Sequence, residues 1–119
     1  MKYYQIWCNL KDGSKELEFH EYLMKYLGYL RNHAWIEDYH ITRRGPASGL
    51  SELGEFNITM EVQDLSQLKQ PFQPVSPHNH EIEKLYNNVY SLVKDVGFAL
   101  YRDLSDTARG ANEVKSGNA

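Results

Sequence analysis

The residues best able to do chemistry lie on alternating stretches. His40 and Asp38 are two positions apart, so in an extended chain both point to the same side. The stretch 54 to 62 alternates cleanly, with Phe56, Ile58, Met60 and Val62 on one side and Asn57, Thr59 and Glu61 on the other. If the two stretches pair as a hairpin around residues 45 to 54, His40 lies opposite Thr59 and Asp38 opposite Glu61. Two facing carboxylates repel, so one is expected to hold a raised pKa suited to proton abstraction near neutral pH. His40 is then the candidate base, with Asp38 and Glu61 as its acidic partners. Trp7 could wall a flat substrate, and Asn9, Thr59 and Tyr101 complete a candidate ligand-binding set. The same residues also suit a plain hydrogen-bond network across an interface, with no catalysis at all.

Other groups carry weaker signals. Arg44, after Arg43 and before a Gly-Pro segment, could clamp an anionic ligand at a pocket mouth; a pair of solvated charges is the simpler reading. His78 and His80, followed by Glu81 and Glu83, are weak metal candidates. Neighbours two apart on a helix do not share a face, and no third ligand is evident, so no metal is expected. His33 suits a helix C-terminus, and His20 falls on the same helix. Cys8 alternates onto the apolar side as a core thiol, and Tyr22, Tyr26 and Tyr29 follow helical spacing as a packing flank. The glycines at 45, 49 and 54 form no phosphate-binding loop, and no cofactor is expected.

The elements that must position these groups are readable from periodicity. Residues 2 to 10 form a first strand, ended by Lys11-Asp12-Gly13-Ser14. Ser14 is a plausible cap for a helix to about Asn32, with Glu16 and Glu18 in its first turn and Phe19, Leu23, Leu27 and Leu30 at helical spacing. Gly28 could allow this helix to approach the sheet closely. Strands follow at 35 to 44 and 54 to 62, and Asp64 could cap a short helical turn through Leu68. Pro77 fits the first position of a second long helix carrying Ile82, Leu85, Val89 and Leu92, and residues 96 to 103 make a last strand. Residues 1–103 thus form one domain, and 104–119 a polar, loose tail.

Strand, helix, strand, strand, helix, strand with right-handed crossovers is an α+β, ferredoxin-like βαββαβ fold, a four-stranded antiparallel sheet with both helices on one face. The helices should cover Tyr4, Ile6, Cys8, Leu10, Tyr39, Ile41, the apolar side of 56 to 62, Phe98 and Leu100. The bare face then carries Tyr3, Gln5, Trp7, Asn9, Asp38, His40, Thr42, Asn57, Thr59, Glu61, Ala99 and Tyr101. Exposed aromatics on a sheet face favour a second copy laid over it, closing a shared barrel.

Composition narrows the partners. Sixteen acidic against 13 basic side chains leave no stripe of positive charge for nucleic acid. No apolar run is long enough to span a membrane, and the N-terminus enters a strand pattern without an apolar signal core. A single cysteine forms no internal disulfide, in keeping with a cytoplasmic location.

Residues 2 to 103 resemble the dimeric α/β-barrel superfamily, which includes cofactor-free monooxygenases, muconolactone-isomerase-like proteins and stress-responsive barrel proteins; NHAWIEDYHITRRG and VSPHNHEIEKLY carry the likeness to an uncharacterised small bacterial family within it. The resemblance implies a homodimer that binds or transforms a small aromatic or cyclic molecule without a cofactor. An enzyme of this kind would be a cofactor-free monooxygenase or an isomerase-like proton-transfer catalyst. The alternative is a non-catalytic stress-responsive or scaffold dimer. A third class engages a larger heteromeric partner through residues 104–119.

Overall fold

The computed structural model describes residues 1–45 and 53–105; the expected Gly-Pro break after Gly45 and the expected tail beyond Ser105 lie outside the described residues. The elements are β1 (Lys2–Leu10), α1 (Glu16–Asn32), β2 (Asp38–Arg43), β3 (Phe56–Val62), α2 (Leu65–Lys69), α3 (Asn79–Tyr90) and β4 (Val93–Arg102). Short 3-10 turns at Gly13–Lys15 and Gln70–Phe72 precede α1 and follow α2. The sheet order is β2-β3-β1-β4 and every neighbouring pair is antiparallel. This is the expected ferredoxin-like arrangement, with α2 added ahead of α3. Among the described residues no helix is long and apolar enough to cross a membrane.

Local chemistry sets several boundaries differently from the pattern. Asp12, not Ser14, caps the turn into α1: its carboxylate accepts from the Ser14 backbone N–H at 2.9 Å and from Ser14 Oγ at 2.7 Å. A carboxylate is the stronger acceptor, and the serine hydroxyl is spent as a donor. Those two bonds hold the Asp12 carboxyl below its usual range. At the other end the Ala34 N–H donates to Arg31 O at 3.0 Å and the Trp35 N–H to Leu30 O at 2.9 Å, around Ala34 at φ 60°. This closing loop takes up Trp35, so β2 begins at Asp38 rather than at Trp35. Pro77 lies ahead of α3, whose N-cap is His78; the Ser76 hydroxyl accepts from the His78 N–H at 3.1 Å.

The core lies between the sheet and α1 and α3. Ile6 and Cys8 from β1, Phe56, Ile58, Met60 and Val62 from β3, Phe19, Leu23, Leu27 and Leu30 from α1, and Ile82 and Val89 from α3 are all buried. Cys8 is a core thiol, as expected, and burial pushes its pKa up to about 11. Gly54 is fixed by packing, since a Cβ there would lie 2.5 Å from the Cys8 backbone nitrogen. Gly28 serves no close approach: a Cβ there meets open space.

Coverage fails at β4. Phe98 and Leu100 share the helix side with Ile6 and Tyr4, their partners in the β1–β4 ladder, yet are 65% and 46% exposed. A groove lined by both α3 and β4 separates the helix from this edge strand, so the expected cover is absent there.

Candidate functional site

On the bare face the register matches the hairpin reading: Asp38 faces Glu61 and His40 faces Thr59 across β2 and β3. His40 Nε2 lies 3.8 Å from Glu61 Oε2. Asp38 is otherwise committed, since its Oδ1 accepts from the Tyr39 N–H at 2.8 Å and from Arg31 at 3.2 Å. The Tyr39 N–H first, then Arg31, hold the Asp38 carboxyl below its usual range, so it is not the raised carboxyl that a repelling pair suggests. Asp38, His40 and Glu61 each present one ligand-type atom within 4.8 Å of the others. Atoms bound to one small cation at about 2.1 Å sit roughly 3.0–3.4 Å apart, so this group is wider than a closed metal site.

The rest of the bare face is a self-satisfied network. Gln5 Oε1 accepts from Thr59 Oγ1 at 2.8 Å and from Asn57 Nδ2 at 3.1 Å. Trp7 faces Asn57 on one side and Gly97 on the other, two strands from His40. Asn9 bridges backbone and side chain: its Oδ1 accepts from the Glu55 N–H at 3.0 Å and its Nδ2 donates to Asp95 at 3.5 Å. Tyr101 faces Tyr3, whose hydroxyl donates to Asp103 at 2.9 Å. Arg44 donates to Leu53 O at 2.8 Å, while Arg43 pairs with Glu55 at 2.7 Å and Glu16 at 3.1 Å. The structure therefore gathers Asp38, His40, Thr59 and Glu61, and leaves Trp7, Asn9, Tyr101 and Arg44 apart from them. A cavity of about 380 Å³ beside Trp7 is lined by Asn9, Gly54, Asp95 and Phe98, not by His40.

His78 is occupied elsewhere. Its Nδ1 lies 2.9 Å from the Tyr29 hydroxyl, and its ring meets Trp35 and His33 edge-on. His33 stacks on Trp35 at 4.7 Å and caps α1 through Nδ1 to Tyr29 O at 2.9 Å, as its position at the helix end suggests. His80 follows on the exposed first turn of α3.

The larger cavity is on the covered side, a groove of about 640 Å³ between α3, α2 and the β1–β4 edge. Its wall is mostly apolar, with Ile6, Met60, Leu65, Leu68, Phe72 and Phe98 among the lining residues. Four tyrosines interrupt it: Tyr4 from β1, Tyr26 from α1, and Tyr86 and Tyr90 from α3. Tyr86 sits 4.4 Å from Tyr90 and 6.0 Å from Tyr26, ring centre to ring centre, and Tyr4 sits 5.9 Å from Phe98. Burial pushes the phenols of Tyr26 and Tyr90 well up and that of Tyr4 up, with mutual repulsion among the four adding to it. Tyr4, Tyr26 and Tyr90 are thus neutral hydrogen-bonding groups at physiological pH. Sequence pattern hides this set. Tyr26 reads as a packing flank and Tyr4 as core, and the one local signal is the one-turn spacing of Tyr86 and Tyr90.

Residues 1–115 match the profile of a family of unknown function, DUF6614. The chain belongs to DUF6614. No curated protein matches it. Solved structures do resemble this DUF6614 chain. A dimeric ferredoxin-like protein of unknown function from Jannaschia is 10% identical, with a TM-score of 0.64 over 86% of this chain and 98% of that one. A Dabb family protein with a ferredoxin-like fold from Mesorhizobium loti is 16% identical, with a TM-score of 0.62 over 86% and 95%. A candidate antibiotic biosynthesis monooxygenase from Deinococcus radiodurans is 15% identical, with a TM-score of 0.60 over 87% and 92%. At such identities the likeness concerns the fold.

Proposed function

We propose that this DUF6614 protein is a homodimer in which each protomer binds a small ring-shaped molecule in the groove between α3 and the sheet. The observation that carries the reading is that groove, about 640 Å³ and mostly apolar. Its volume falls within the range of about 300–1,000 Å³ common for small-molecule sites. The dimer is supported by the bare face, where Tyr101 is 56% exposed beside a network that already satisfies itself. The Jannaschia protein of the same fold is described as dimeric.

The test is a thermal-shift and light-scattering screen of the full chain against phenols, lactones and quinones. A ligand at about 100 times its Kd adds about 2.7 kcal/mol, on the order of 10 °C for a chain of this size. A rise with one ring class, abolished by Leu65→Trp, supports the groove; no rise with any ring compound overturns it. A solution mass of 13.9 kDa at micromolar concentration, that of one chain, sinks the dimer.

A second reading places proton transfer on the bare face, with His40 as base and Asp38 and Glu61 beside it. It is favoured by the 3.8 Å approach of His40 Nε2 to Glu61 Oε2. Once a reaction is assigned, full activity in His40→Ala removes His40 as the base.

A further inference from the structure

We propose that the occupant of the groove carries a ring-bound carbonyl oxygen, received by the hydroxyls of Tyr26 and Tyr90. The inference rests on the groove reading above and names the chemistry of the ligand.

Tyr26 is only 4% exposed and lines the groove. Among the described residues, the hydroxyls of Tyr26 and Tyr90 make no hydrogen bond. Buried polar groups are nearly always paired, and an orphaned hydroxyl in a well-packed chain calls for an occupant. Here the buried Tyr26 opens on the cavity beside the half-buried Tyr90 and Tyr4. All three come from helices or strands of the core layer and not from loops, so their placement is rigid.

The balance of donors and acceptors indicates what the occupant offers. Each phenol brings one O–H donor, and Lys69 and Asn87 on the same lining bring more N–H donors. The lining carboxylate is Glu83, whose Oε2 already accepts from Asn79 Nδ2 at 3.4 Å. The phenols and Asn87 can also accept, whereas Lys69 only donates, and a carbonyl oxygen with two lone pairs can accept from Tyr26 and from Tyr90 at once. Burial also disfavours negative charge at the deep end, where it keeps Tyr26 and Tyr90 protonated. An anionic ligand would meet the same penalty, which selects a neutral carbonyl over a carboxylate. The apolar side chains of Met60, Phe72 and Phe98 suit the hydrocarbon part.

The test compares two probes of nearly equal shape, 1-tetralone and tetralin, the second lacking the carbonyl. Each is titrated into the isotope-labelled full chain and followed by amide chemical shifts, in wild type, Tyr26→Phe and Tyr90→Phe. The proposal expects both probes to shift groove residues, and each phenylalanine variant to weaken tetralone roughly tenfold while leaving tetralin unchanged, the scale of one neutral hydrogen bond. Tetralone binding that is equal in wild type and both variants overturns the carbonyl proposal and leaves the groove reading standing. Binding of neither probe in the groove overturns both. Phenylalanine keeps the ring, and the two variants are read separately, so failure of one to fold leaves the other to decide.

Discussion

The two faces of this sheet treat polar groups in opposite ways. On the bare face they find each other: Gln5 takes hydrogen bonds from Thr59 and Asn57, and Asn9 spans Glu55 and Asp95. On the covered face four tyrosines line an apolar groove, and the hydroxyls of Tyr26 and Tyr90 make no hydrogen bond among the described residues. Exposure would suggest the reverse, since the bare face has water at hand. A satisfied network holds a surface in one arrangement and suits a partner of fixed shape. Donors left over in a mostly apolar cavity favour an occupant that can accept from them.

Substitutions on adjacent residues test this contrast. Ile58 and Thr59 are neighbours on β3 that point to opposite faces. Ile58→Ala removes a side chain only 3% exposed, and is expected to cost about 2–5 kcal/mol in denaturant unfolding. Thr59→Val keeps the shape but leaves Gln5 short of one donor, with an expected loss of about 1 kcal/mol. An equal loss at both sites would show that the bare face is as tightly built as the core.

Tyr26→Phe sharpens the other half. Removing an unpartnered hydroxyl from a buried site should leave the unliganded protein as stable or raise it by up to about 1 kcal/mol. A loss of more than that on thermal unfolding would reveal a partner and break the comparison.

The smallest effect lies outside both faces. Asp64 accepts from Lys2 at 3.0 Å and from Ser66 at 2.9 Å, and those bonds lower its carboxyl to about 2. The unfolded value is near 3.9, so its contribution is present above about pH 4 and is lost as pH falls toward 2. In Asp64→Asn the drop in Tm across that window should be slightly smaller than in wild type. An identical drop would show the pair to be inert.

Much of the fold was legible because it depends on local periods. Alternation told which side each residue of the two stretches faces, and a hairpin closing around residues 45 to 54 supplied the β2–β3 register, which the structure reproduces. Capping was harder to read, because the Asp12 carboxylate takes up both the N–H and the hydroxyl of Ser14, which spacing alone does not show. The exposure of Phe98 was hidden, since alternation tells which side a residue faces and not whether a helix reaches over it. The groove tyrosines escaped for a related reason. Positions 4, 26, 86 and 90 come from β1, α1 and α3 and meet only after folding, and a tyrosine on an apolar side looks like core until the cavity beside it is seen.

The pairing of Lys2 with Arg102 across β1 and β4, with Tyr3 donating to Asp103, brings the entry and exit of the fold to one corner. The first and last strands therefore end at the same place, next to the Tyr3–Tyr101 end of the bare face. A bulky affinity handle attached at Met1 would crowd a second copy laid on that face. The same proximity makes the fold a natural subject for circular permutation, because a short linker could join Asp103 to Met1 without crossing the sheet.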